Sequence, residues 1–446
     1  MDLFLRIFFF VIEIITLIFI IINSKNCKGG YYKGIAVGMI IYYAVIPLVL
    51  NIIFAVGNDK VKTQILEKKG LNFIVNADLL TMILIGIMIT VLFGLFSKAY
   101  NSNLMFSIGK LFSDRAVERK TKRNFNNLLI LTGNICLAIG GTCTLYYMLS
   151  FGSIQTAIQL SGYVRGFTVS STRYISYIAS LMIIPAGVVV VAPWCFLLTI
   201  DYKKNTWKKI KLIVSIIFSM LFLLVKAGRA PLLIFVVSLG MPLLMRRMKH
   251  PWIFLCAVAI IFMPIVDFID ALFDNSAIAS SGYDVTSYIS QFAYPYRTTL
   301  SAFDIVQKYG IRWGQDFVTT FLGLLPGFNF DSTWRIVSEF LGGTMWKVTG
   351  STPTDLFTFC ILEFHVFGLL LGGVLGLICR NLDKGLQGYK AELKESTYGI
   401  NALEAFVLLN SFWFVSTADF ESLVRNLYFF CISILILMTT NGKSNG

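Results

Sequence analysis

The sequence predicts an all-α polytopic membrane protein of about eleven transmembrane helices, with one large extracytoplasmic loop carrying short amphipathic helices. Three observations predict it. Of the 446 residues, 56% are hydrophobic and only 14% are charged. Apolar runs near the roughly 20 residues that a bilayer crossing needs recur along the whole chain. Basic clusters fall in alternate connecting loops, the pattern by which Lys and Arg mark the cytoplasmic side. A soluble core of this length would show broad polar helix faces, which are missing.

The expected spans run over residues 3–22, 34–54, 77–97, 127–150, 175–200, 210–226, 230–245, 251–267, 355–379, 401–417 and 424–440. The first is too long for a signal-peptide core and has no small-residue cleavage site after it, so it reads as a retained span. The loop 98–126, with Lys98, Lys110, Arg115, Arg119, Lys120, Lys122 and Arg123, is the clearest cytoplasmic segment. Parity then puts 24–33, 201–209, 246–250 and 380–400 inside, the N-terminus outside and the C-terminus inside. Lys60, Lys62, Lys68 and Lys69 in the outer loop 55–76 run against this pattern. The chain thus divides into a first bundle of eight spans (1–267), a large outer loop (268–354) and a last bundle of three spans (355–446). All spans read as unbroken, and no internal repeat is visible.

The formal net charge of +14 does not point to nucleic acid. The excess is a topological signal and a contact for anionic lipid headgroups. Eight cysteines lie in expected spans or, for Cys27, in an inner loop, so the outer loop is no disulfide scaffold. With no C-x-x-C and only two histidines, His250 and His365, a His/Cys metal site is not expected, nor is a cofactor.

Two apolar arms of about 16 residues, shorter than a full span, meet at the turn Lys226-Ala227-Gly228-Arg229. Basic flanks on both outer ends (Lys203, Lys204, Lys208, Lys209, Lys211; Arg246, Arg247, Lys249) place this turn on the outer side, within the membrane boundary. Burying two cations there costs up to a few kcal/mol, which calls for an anionic partner. Lys226 lies one turn before Arg229, so both can face one site; the alternative for Lys226 is snorkelling.

The outer side favours arginine: Arg165, Arg173, Arg229, Arg297, Arg312, Arg335 and Arg425. A guanidinium fork grips phosphate through paired hydrogen bonds, which suits a lipid diphosphate headgroup; the alternative is snorkelling to headgroups or pairing with Asp284, Asp316, Asp331 or Glu339. Asp316, Asp331, Glu339 and Asp355 are candidates for a base that deprotonates an acceptor hydroxyl, and spacing selects none of them. Trp313, with Trp334, Trp346 and loop tyrosines, offers stacking faces for sugar rings. Phe317, Phe321, Leu324, Leu325 and Phe328 oppose Gln315, Asp316, Thr319 and Thr320 at helical spacing, the pattern of a helix lying along a membrane surface, ended by Pro326-Gly327. Glu363 and His365 are ionisable groups inside an expected span, hence functional candidates; packed, neutral histidine is the alternative for His365. Asp419, Glu421 and Arg425 cluster at the last outer turn, where a local Glu421–Arg425 pair is the plainer account.

Three stretches carry a resemblance to a known family. They are Lys226-Ala-Gly-Arg229-Ala-Pro-Leu-Leu233, then Gly314-Gln-Asp-Phe317 with Phe321 and Leu324-Leu-Pro326, and finally Ser351-Thr-Pro-Thr-Asp-Leu-Phe357 running into Glu363-Phe364, Phe367-Gly368 and Gly372, Gly373 and Gly376. Over most of its length the chain resembles the oligosaccharide repeat-unit polymerases of the O-antigen and capsular polysaccharide type. The resemblance implies helices bundled around an outer active site and undecaprenyl-diphosphate-linked oligosaccharides as substrate. It also implies that Arg229 holds the donor diphosphate, and it brings a chain-length regulator and a flippase as candidate partners beside membrane lipids. The family commonly places an acidic residue and a Tyr–Asn pair before the Phe-Gly; here Glu363, Phe364 and Val366 stand nearby. A lipid-linked glycan ligase, and a flippase for the same lipid, are the alternatives.

Overall fold

In the computed structural model of the chain, the described residues are 2–24, 30–56, 79–92, 122–160, 175–199, 206–226, 229–245, 285–322, 332–342, 354–392, 397–418 and 427–440. Every regular element among them is helical. Among the described residues four helical stretches are long and apolar enough to cross a membrane: Gly30–Leu50, Asn126–Leu149, Leu356–Gln387 and Tyr398–Ser416. Helices occupy all or part of every expected span except 251–267, which lies outside the described residues. The loops 55–76 and 98–126 lie mostly outside them as well.

The chain forms two compact units: Met1–Leu111, Tyr283–Lys384 and Asn410–Val424 in the first, Phe112–Gly282, Gly385–Leu409 and Arg425–Gly446 in the second. The first contains α1 (Asp2–Ser24), α2 (Gly30–Ile40), a π-helical turn (Ile41–Val45), α3 (Ile46–Val56) and α4 (Leu79–Thr90). From the stretch expected as the outer loop come three more helices of this unit: α12 (Val285–Tyr309), α13 (Gln315–Leu322) and α14 (Thr333–Gly342). α12 is not one of the short helices expected there. It has 25 residues and packs along both α3 and the start of the next span, because Ala302, Ile305 and the hydroxyls of Thr298 and Thr299 form a buried face. Those hydroxyls donate to the Pro295 carbonyl, so they cost little inside.

The span expected as one helix over 355–379 is broken. α15 (Leu356–Phe364) ends in a 3₁₀ turn (His365–Gly368), and α16 (Leu369–Glu392) follows. The run Phe-His-Val-Phe is weak in helix propensity, but another contact decides the matter: the backbone N–H of Arg312 donates to the Leu362 carbonyl at 2.9 Å and closes that end of α15 from outside. Gly368 then folds back so closely that a Cβ there would lie 1.8 Å from the Cys360 carbonyl oxygen. Further along α16, Gly372 and Gly376 let the helix lie against Met88 and Leu92, the small-residue spacing that brings apolar helices into contact. Asp383 accepts from the N–H groups of Tyr31 and Tyr32 and so caps the start of α2.

The second unit holds α5 (Lys122–Leu149), α6 (Ile154–Leu160), α7 (Tyr177–Leu181), α8 (Ile183–Ala186), a 3₁₀ stretch (Gly187–Val191), α9 (Ala192–Thr199), α10 (Thr206–Val225) and α11 (Arg229–Met245). With them go the start of α17 (Thr397–Ser416) and α18 (Leu427–Thr440). The span expected over 175–200 is therefore several short pieces, and Gly140 shows why they fit: a Cβ there would meet Val189 N at 2.5 Å. Trp194 fills the centre, with the rings of Phe235 and Phe406 at 5.8 and 4.6 Å. α10 has 20 residues, longer than the arm expected, since it starts among the lysines; Lys211 donates to Asn134 Oδ1 at 2.9 Å. At 1.5 Å per residue it is about 30 Å long, so the length of this arm does not argue that the turn is sunk into the membrane.

Candidate functional site

The first unit holds a buried ionic cluster built from three segments. Gly310 and Gly314 adopt φ of 80° and 78°, and between them Trp313 adopts 53°, a left-handed conformation that costs a non-glycine residue about 1–3 kcal/mol. This turn drives Arg312 inward, to 6% exposure, and leaves Trp313 68% exposed. The guanidinium donates from Nη2 to Asp316 Oδ1 at 2.7 Å and from Nε to Glu363 Oε1 at 3.2 Å. Asp316, one turn later on α13, also accepts from the Thr333 N–H through both oxygens at 3.1 Å, which caps α14. The Thr333 hydroxyl donates to Glu363 Oε1 at 3.0 Å. Asp316 and Glu363 are completely buried. Beneath them Ile305, Ile336, Val337 and Leu362 form an apolar floor.

α13 turns its polar face inward. Asp316 and Thr320 are buried, while Val318 and Phe321 are exposed. Only Phe317 of the apolar set with described surroundings is half-buried, its ring 6.0 Å from Phe359 and 6.5 Å from Phe364. An outward apolar face suits contact with lipid, as expected of a surface helix. The helix ends at Leu322, and the Pro326-Gly327 stop lies outside the described residues.

A second polar knot lies at the other end of α15. Asp355 is completely buried and caps that helix, accepting from the N–H groups of Phe357 and Thr358 at 3.0 and 3.2 Å. The Tyr43 hydroxyl donates to it at 2.8 Å, and the Thr358 hydroxyl also donates. Tyr43 belongs to the π turn, where one extra residue re-aims the side chains that follow. Asp355 therefore has its oxygens filled by structural donors and is poorly placed to take a substrate proton.

The other candidate residues stand apart from this cluster or engage other partners. His365 has φ of 55°, is half-buried, and sets its ring 5.7 Å from Phe303. Arg297 donates to the Leu341 carbonyl at 3.1 Å. Arg335 lies over the Trp334 ring at 5.9 Å, and Glu339 is exposed on α14. In the second unit, Lys226 lies 5.9 Å from the ring centres of both Phe222 and Tyr428. Arg229 is the first residue of α11, and its side chain lies outside the described set. Arg165, Arg173, Asp331, Asp419, Glu421 and Arg425 also lie outside the described residues. Among the described residues no group of three His, Cys, Asp or Glu is placed to hold a metal.

Sequence reasoning missed Thr333, which joins the two carboxylates, and Asp383. A Ser-Thr pair after Asp331 is an ordinary helix-start signal, and nothing local tells which carboxylate it meets. Arg312 was expected to grip substrate; here its charge is already shared between two buried carboxylates. Comparison with family models, with curated proteins and with solved structures finds no match to this chain.

Proposed function

We propose that this chain is a polymerase of undecaprenyl-diphosphate-linked oligosaccharide repeat units, crossing a bacterial cytoplasmic membrane eleven times and working at its outer face on O-antigen, capsular or exopolysaccharide chains. One observation supports the reading most. Two of the three stretches that resemble the family meet in space: Asp316 from one and Glu363 from the other share the Arg312 guanidinium. Gly314 presses on the Phe364 ring as well, where a Cβ would lie 3.0 Å away. Stretches separate in the sequence that build one buried cluster are most simply parts of one site.

In this reading Arg229, with Lys226, holds the donor diphosphate, and Arg165, Arg173 or Arg425 adds charge. The acceptor hydroxyl gives its proton to a carboxylate, its oxygen bonds to the anomeric carbon, and the lipid diphosphate leaves with the electron pair of the broken bond. Asp316, Asp355 and Glu363 are tied into the scaffold, so the accessible base is Asp331 or Glu339. Partners are the lipid-linked oligosaccharide, membrane lipids and, by resemblance, a chain-length regulator and a flippase. The test is the polymer ladder of cells carrying Arg229→Ala at normal protein level. Loss of long chains is expected; a wild-type ladder would refute the assignment of Arg229.

The broken helix at His365–Gly368 favours a second reading, a flippase for the same lipid, since transporters place their sites at discontinuous helices. Purified protein given lipid-linked units without an ion gradient separates the two. Chain extension marks the polymerase, and lipid movement alone marks the flippase. A glycan ligase would instead leave the ladder intact and lose only its attachment.

A further inference from the structure

The ionic cluster contains one cation and two carboxylates, all buried, and one carboxylate oxygen in it has no hydrogen-bond partner: Oε2 of Glu363. We propose that this oxygen is a proton-binding site, occupied while α15 and the Arg312 turn are docked. The inference concerns the charge of the cluster and holds whichever lipid-linked substrate the protein handles.

The argument is one of charge. Asp316 receives the shorter bond from Arg312 and two from the Thr333 N–H, so it holds the negative charge that Arg312 neutralises. Glu363 is left with a second negative charge in a site without water contact. An uncompensated buried carboxylate avoids that cost by taking up a proton. The helix starts of α13 and α14 point partial positive charge into the cluster; the Asp316 N–H faces the Glu363 carboxylate without closing a bond to Oε2. Such dipoles are worth about 0.3–1 kcal/mol, far less than a buried charge.

No larger ligand suits the atom, because it exposes less than 1 Å². A metal ion would need further ligands, and among the described residues no group of three His, Cys, Asp or Glu is placed to supply them. Of the titratable groups on neighbouring elements, Asp316 and Arg312 act on Glu363 directly. Cys360 lies one turn back on the same helix, and Asp355 lies at its far end. Lys308 of α12 rests over the rings of Tyr309 and Phe340, and His365 turns to Phe303. Asp304 of α12 is exposed, as is Glu339 of α14, while Arg297 and Arg335 meet Leu341 and Trp334. Because Glu363 sits in the last turn before the helix break, losing its proton sets a second negative charge beside that of Asp316 in the buried cluster.

Infrared spectroscopy of the full-length protein in lipid nanodiscs at neutral pH tests this. A protonated-carboxyl band is expected in the wild type, lost in Glu363→Gln and kept, shifted, in Glu363→Asp. Thermal melting supplies a second readout: the dependence of Tm on pH in the wild type differs from that in Glu363→Gln. If Glu363→Gln fails to fold, the wild-type band and its shift in Glu363→Asp decide. An absent band, a band unchanged in both variants, or sodium replacing the proton in raising Tm would each overturn the proposal.

Discussion

Arg312 acts through three different groups: its N–H closes the end of α15, Nη2 neutralises Asp316, and Nε reaches Glu363. Lysine cannot reproduce that fork, since it offers one compact charge. Replacing Arg312 by Ala would leave the buried Asp316 carboxylate without its cation, a loss of roughly 3–5 kcal/mol. The expected outcome is a large drop in melting temperature for Arg312→Ala, with Arg312→Lys in between; equal stability of all three would mean that the cluster is not a brace. Asp355 makes a parallel case with a different chemistry. Its cap on α15 is worth about 1–2 kcal/mol, and Asp355→Ala also strands the Tyr43 hydroxyl. Denaturant unfolding should show Asp355→Asn, which still accepts hydrogen bonds, less destabilised than Asp355→Ala.

At the level of elements, glycine separates the positions where space is needed from those where it is not. Gly368 lies against the Cys360 carbonyl, whereas Gly240, inside α11, has no atom within 4 Å of a Cβ built on it. Gly368→Ala must therefore push the 3₁₀ turn off α15 and lower stability. Gly240→Ala should raise it by roughly 0.5–1 kcal/mol, through the entropy of the unfolded chain. Paired melting curves of the two variants check this contrast, and a Gly368→Ala protein as stable as Gly240→Ala would show that the break is not held by that contact. The sequence pattern revealed where apolar helices lie, because each span is a long run that needs no partner to be recognised. The interruption at His365 was not legible: its cause is the N–H of Arg312, 50 residues away in sequence, and hydropathy carries no trace of it. The same holds for α13. Its amphipathic spacing is plain in the sequence, but which face turns inward depends on the buried Arg312 that Asp316 meets. The ionisable pair Glu363 and His365 was legible as a site candidate from its cost inside an apolar run, while their separation into an ion pair and a ring contact follows from the break.

For the molecule as a whole, the functional reading turns on which side of the membrane the α10–α11 turn faces. The basic residues of α10 and those beyond α11 lie at the two ends far from that turn, as Lys208, Lys211, Arg246 and Arg247 show in the sequence. If positive charge is retained in the cytoplasm, the turn at Lys226–Arg229 must be outside, as the proposed use of a lipid-linked oligosaccharide requires. Gly228→Cys tests this without touching either cation. In intact cells a membrane-impermeant maleimide should label this variant well above the background given by the protein that keeps Gly228. Ser113→Cys, in the basic loop 98–126, should label only after the membrane is opened. The reverse pattern would put Arg229 on the cytoplasmic face, where it has no donor diphosphate of an exported glycan to grip. It would remove the assignment of Arg229 while leaving the Arg312 cluster, which belongs to the other unit, as it stands.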